Sequence, residues 1–209
     1  MAGLIYKDIM VMKKTLVLYA FISVLYGYME IATNSSGIMF AMVMLASTMV
    51  PISSIAYDER CGWDRVVNTC PLSRSQVIIA KYLLGLVLTA ISAVAVFAIY
   101  LFHPDMTVTE NIGTVAVMVL MALVYQALLL PTIIKFGSEK GRMIMMVILF
   151  APVVLIFAIP KLPFIDLSAL ADMLERNSNI LPFITVAVIA AVYVCSVVLS
   201  VKIYKDKDL

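Results

Sequence analysis

Charge is scarce in this sequence. Asp, Glu, Lys and Arg make up 13% of its 209 residues, about half their share in soluble domains, and there is one histidine and one tryptophan. A lone imidazole makes a poor metal site or proton relay, so His103, beside Pro104 and Asp105, reads as an interfacial cap or loop residue. The three cysteines, Cys61, Cys70 and Cys195, fit neither a disulfide framework nor a zinc site. No G-x-x-x-x-G-K-[ST] run occurs, so the sequence lacks the loop that cradles nucleotide phosphates and cannot hydrolyse ATP by that route. No catalytic residue, metal or bound cofactor is expected on it. The net charge of +2 gives no reason to expect nucleic-acid binding.

What fills the sequence is apolar material, 64% of all residues. That composition belongs to an all-α integral membrane protein, here read as a single transmembrane domain over residues 1–209. Any soluble chemistry is left to a partner. Six runs are long enough to cross a hydrocarbon core, at about 15–31, 37–57, 77–102, 112–134, 143–159 and 180–203. Lipid offers backbone groups no partners, and the runs lack the alternation of a membrane barrel, so all six are expected to be helices. Pro51, Pro131 and Pro152 predict kinks rather than breaks. No charge is expected deep in any span, which argues against an ion-driven carrier. Tyr125, Gln126, Thr89 and Ser92 are the polar candidates either for a substrate pathway or for bonds between helices.

Of the 15 lysines and arginines, all but Lys161 and Arg176 fall on one side of these spans. The basic side is cytoplasmic, so both chain ends are expected there, in a multi-pass protein of the plasma membrane. The first span leads to Tyr28, Glu30 and Thr33 with no small-residue cleavage site and reads as a retained anchor.

Three segments between or before the spans are amphipathic. In "LIYKDIMVMKK", Leu4, Ile5, Ile9 and Met12 recur at helical spacing with Lys7 and Asp8 between them. This is either a helix lying in the interface or an extension of the first span. On the outer side, residues 160–179 place Leu167, Leu170, Ala171 and Leu174 on one stripe between prolines. The loop 58–76 is the richest. Asp58 and Glu59 suit the start of a helix, and Glu59, Trp63, Val66, Val67 and Cys70 share a side opposite Arg60, Asp64 and Asn68. Pro71 ends that helix. Ser73 and Gln76 then form the S-x-x-Q pattern of a capping box, with Leu72 and Val77 as its staple. A purely topological loop with an interfacial tryptophan is the plainer reading of the same residues.

A basic N-terminal helix and two spans precede Asp58 and Glu59, Trp63, Asp64 and Arg65, Pro71 to Arg74, and Lys81 opening the third span. This order resembles the six-helix permeases of the type-2 ATP-binding-cassette exporters, including small Gram-positive peptide exporters such as the phenol-soluble-modulin transporters. The resemblance implies two permease subunits, identical or related, working with two separate ATPase subunits that bind ATP and Mg. It makes residues 6–14 an elbow helix and the loop 58–76 a coupling helix seated on the ATPase, with Asp58, Glu59, Arg60, Trp63, Asp64 and Arg65 at the contact. Pro71, Ser73, Arg74 and Gln76 would form its corner, and residues 162–176 the short outer helices. Gly62 departs from the pattern, since a glycine inside a helix costs roughly 1 kcal/mol. The implied function is export of a hydrophobic or amphipathic substrate, such as a peptide or lipid-like molecule, by alternating access. The rival reading is a non-transporting immunity or scaffold protein that recruits a cytoplasmic partner. An intramembrane protease has no serine–histidine or paired aspartate arrangement to support it.

Overall fold

Long apolar runs without alternation can satisfy their backbones only by coiling, and the described residues contain helices and turns but no strand. The computed structural model describes residues 2–33, 38–63, 67, 73–101, 108–158 and 181–206. The helices are α1 (Ala2–Val11), α2 (Lys13–Thr33), α3 (Ile38–Arg60), α4 (Arg74–Tyr100), α5 (Val108–Ala158) and α6 (Leu181–Lys205). Asp64, Arg65, Cys70, Pro71, Leu72, His103 and the segment 160–179 lie outside the described residues.

Three helical stretches are long and apolar enough to cross a membrane: Arg74–Tyr100, Asn111–Ser138 and Pro182–Lys205. The pair Gly3–Val11 and Lys13–Glu30, bent by 70°, makes a fourth if taken as one broken span. The corner falls at Met12, which is fully buried. On α1 the buried stripe is Leu4 and Asp8, continued by Met12 at the corner, at i, i+4 and i+8, while Ile9 is exposed. The apolar spacing put Ile9 on the stripe and Asp8 between its members. The order is reversed because Asp8 has counter-charges beneath it.

Helix α5 runs for 51 residues but is not one rod: Gly137 has φ 79° and ψ 171°, which breaks the helical path. The expected loop at 135–142 is therefore helical on both sides of one residue, since "SEKGR" carries no proline to hold it open. Helix α5 packs against α3, α4 and α6, α3 also packs on α2 and α4, and α1 rests on α2 and α4. Tyr82, Ile78, Leu130, Ile134 and Tyr204 form one core cluster of α4, α5 and α6, and Val43, Met44, Val96, Tyr100, Val115 and Ala122 another nearer the opposite end. Charge does enter the helices: Lys81 of α4 and Glu30 of α2 are 4% and 0% exposed. Both sit near the ends of their expected runs, 77–102 and 15–31, rather than deep within them.

Candidate functional site

The N-terminal helix, the end of α3, the start of α4, the break in α5 and the end of α6 meet at the basic end of the bundle. Asp58 and Glu59 are not the start of a new helix; they are the last turn of α3. The physical reason is Gly62, at φ 64°, a left-handed conformation that glycine adopts freely and that terminates helices. Its amide donates back to the Glu59 carbonyl at 3.3 Å. Gly62 is thus a stop after α3 and not a flaw inside the next helix, and Trp63 and Val67 beyond it are helical.

Two carboxylates at a helix C-terminus oppose the helix dipole, and each is compensated from elsewhere. They are adjacent, so they point about 100° apart around α3. Asp58 turns toward α1 and α4. Its Oδ1 accepts from Lys7 Nζ at 2.7 Å and its Oδ2 from Lys81 Nζ at 2.6 Å. Lys81 also donates to both oxygens of Asp8 at 2.8 Å and to Ser54 Oγ at 2.7 Å, which uses all three ammonium hydrogens. Lys7 Nζ lies 3.1 Å from Asp8 Oδ1. Lys7, Asp8, Lys81 and Asp58 therefore close a four-membered ring of alternating sign. Burying these charges costs several kcal/mol per ion, and only full pairing of this kind offsets it.

Glu59 turns the other way, toward α5. Its Oε2 accepts the backbone N–H of Ser138 at 2.8 Å. Ser138 is the first residue of the arm that restarts after Gly137, so a carboxylate from α3 caps this N-terminus in place of a local side chain. A Cβ at Gly137 would stand 2.8 Å from Glu59 Oε1, which leaves glycine as the residue that admits the contact.

Trp63 faces inward. Lys7 Nζ stands 4.2 Å from its ring centroid, a cation–π distance, and the ring packs with Ile5 against Leu4, Val67, Val77 and Ala80. Ser73 caps α4 through the reciprocal bonds of a capping box with Gln76, at 3.3 and 3.2 Å. Arg74 Nη1 reaches the carbonyl of Lys205 at 3.1 Å, placing a cation at the negative end of α6. Arg60 and Cys61 are exposed. A narrow cleft of about 40 Å³, lined by Asp58, Glu59, Trp63 and Lys81 on its polar side, lies beneath the loop. Among the described residues the arrangement pairs no nucleophile with a base; it is a meeting point of five helices held by charge pairs and caps.

A family model described as ABC-2 family transporter protein matches residues 3–205, so the match takes in this junction and all six helices. The chain belongs to the ABC-2 transporter family. It is the multi-pass membrane permease component of an ABC-2 type transporter, and ATP hydrolysis lies in a partner subunit. No curated protein and no solved structure matches it.

The polar residues of this ABC-2 permease's helices form a seam between α4, α5 and α6. Gln126, fully buried, lies 3.5 Å from Thr89 Oγ1 through its Nε2, and its Oε1 accepts from Tyr193 OH at 3.1 Å. Tyr82 OH lies 2.7 Å from both Ser196 and Ser200. Ser196 Oγ in turn donates to the Ala127 carbonyl at 2.6 Å, the acceptor that Pro131, four residues on and without an N–H, leaves unserved. Gln126 and Thr89 thus bond across a helix interface in this conformation. Tyr125 and Ser92 are half-buried, Tyr125 beside Ile52, Leu129 and Ile133. Sequence reasoning missed Asp8, Ser54, Ser138 and the Tyr82–Ser196–Ser200 group. The spacing of Tyr193, Ser196 and Ser200, at i, i+3 and i+7, was the available signal for the last.

Proposed function

We propose that this permease carries a hydrophobic or amphipathic substrate, a peptide in the first place, out of a bacterial cell by alternating access between two copies of the chain. Six spans are the reading that uses every apolar run: α3, 23 residues long, is about 35 Å at the usual helical rise, and residues 138–158 supply the fifth. The basic end is the cytoplasmic one, α1 is the elbow helix, and residues 58–76 with Trp63 form the coupling element. Asp58, Glu59, Arg60, Trp63, Asp64 and Arg65 meet or position the contact with an ATPase subunit, which binds ATP and Mg, and Pro71, Ser73, Arg74 and Gln76 give the corner its stiffness. Tyr125 and Ser92 are the remaining candidates to meet substrate.

One observation carries this reading. The ring of Lys7, Asp8, Asp58 and Lys81 ties α1 to both helices flanking the loop, so a push on the loop moves α1, α3 and α4 together. Glu59 passes the same push to α5. That rigid linkage of three helices to the loop is what supports a coupling role for it.

The test is the double substitution Trp63→Ala with Asp64→Ala in the assembled transporter. The variant permease inserts and binds its partner subunit, while substrate-stimulated ATPase activity and export both fall at least tenfold. Undiminished export by this variant would overturn the reading.

A further inference from the structure

The first arm of α5 and helix α6 leave a groove on the outside of the bundle, about 530 Å³ in volume, within the roughly 300–1,000 Å³ of small-molecule sites. Its walls are Leu128, Pro131 and Thr132 on one side and Val192, Leu199 and Ile203 on the other. Leu128, Val192 and Leu199 are 44, 42 and 51% exposed, so the groove opens outward and not into the core. Thr132 adds no free donor, since its hydroxyl is spent on the Leu129 carbonyl at 2.7 Å.

Ser196, also in the lining, has its hydroxyl spent on the Ala127 carbonyl, and one charged residue remains. Lys135 lines the groove in the last turn of the stretch Asn111–Ser138, on the same face as Leu128 and Pro131. Its ammonium lies 5.3 Å from the Phe136 ring and meets no carboxylate among the described residues. Lys202, exposed, flanks Ile203 on α6 with Asp206 following it, while Lys135 is the cation that lines the groove itself. A slot apolar along its depth, with a cation at the interfacial end, is complementary to one kind of molecule.

We propose that this groove holds an anionic phospholipid of the cytoplasmic leaflet, an acyl chain along Leu128, Pro131, Leu199 and Ile203 and its phosphate at Lys135. The inference rests on the basic end facing the cytoplasm and is independent of what the permease exports. Basic pockets between helices on that side of a membrane select anionic headgroups, and the lysine stem lies along the groove while its head reaches the phosphate level. A second copy docked symmetrically on the same face would bring Lys135 toward its own mate, which charge opposes.

The experiment is photo-crosslinking of the full chain in phosphatidylcholine nanodiscs, using phosphatidylglycerol or phosphatidylcholine probes with a diazirine in the tail. The phosphatidylglycerol probe is expected to label peptides 127–136 and 192–203 several-fold more than its zwitterionic counterpart. Lys135→Glu lowers that labelling about fivefold or more, the equivalent of the ~1 kcal/mol one basic residue contributes at an anionic surface. Lys135→Arg keeps it, and Leu199→Trp fills the slot and removes it. Equal labelling by the two probes, or unchanged labelling of Lys135→Glu, overturns the proposal. So does efficient Cys195-to-Cys195 crosslinking by a short bismaleimide, which would show a second copy over the groove. If Lys135→Glu fails to insert, the comparison of probes on the unsubstituted chain decides alone.

Discussion

Glu59 Oε2 accepts the backbone N–H of Ser138 at 2.8 Å, a bond between the end of one helix and the restart of another 79 residues away. The acceptor sits where its own helix disfavours it and where the other helix favours it. The contact is a strut that ties the end of α3 to the second arm of α5.

Replacing Glu59 by Gln keeps an acceptor but removes the charge. About 1 kcal/mol of stability is expected to be lost, read as a small fall in thermal midpoint in detergent. Gly137→Ala is the harsher change, because it meets both the left-handed φ and the carboxylate. A cost of about 1–3 kcal/mol is expected, and equal midpoints for the two variants would argue against the strut.

Lys81→Met leaves two buried carboxylates around one lysine and is expected to cost about 3–5 kcal/mol, seen as poor recovery from the membrane. Adding Asp8→Asn removes the excess negative charge and should return much of that loss. A double variant no better than the single one would show that the ring does not act as a unit.

Ser196→Ala leaves the Ala127 carbonyl without its donor and is expected to cost roughly 1 kcal/mol, the scale of hydrogen bonds between membrane helices. With Pro131→Ala also present, an N–H becomes available to that carbonyl and the cost of losing Ser196 should shrink, the remainder being its contact with Tyr82. The measurement is a double-mutant cycle of unfolding midpoints, and strict additivity would refute the compensation.

Gly85→Ala places a methyl group against the Gln126 amide, with Cδ at 2.8 Å, where the amide is held by Thr89 and Tyr193. Overpacking of about 1–3 kcal/mol is expected. Gln126→Ala in the same chain should relieve the clash while losing the seam, so the pair is non-additive.

How much of this was legible beforehand depended on range. The capping box of Ser73 and Gln76 is a local rule three residues long, and the sequence carries it whole. Asp58 and Glu59 were assigned to a helix start by the same kind of rule, and wrongly, because the nearby stop at Gly62 ends α3 just after them; their partners Lys7 and Ser138, 51 and 79 residues away, are beyond any local pattern. Asp8 was left off the apolar stripe for a related reason: hydrophobic periodicity assumes that a charge avoids burial, and it fails where a second charge waits inside. Gln126 and Thr89 could be singled out as polar residues in apolar runs, and both readings of them were stated. Their bond across the interface needed coordinates.

The charges of Lys7, Asp8, Asp58 and Lys81 sum to zero. A shift of that cluster along the membrane normal carries no net charge through the electric field, whereas a single unpaired lysine in its place would couple to the transmembrane potential at about 2.3 kcal/mol per 100 mV for full transit. The ring is electrically silent, and on the coupling role proposed above its displacement takes no work from the membrane potential.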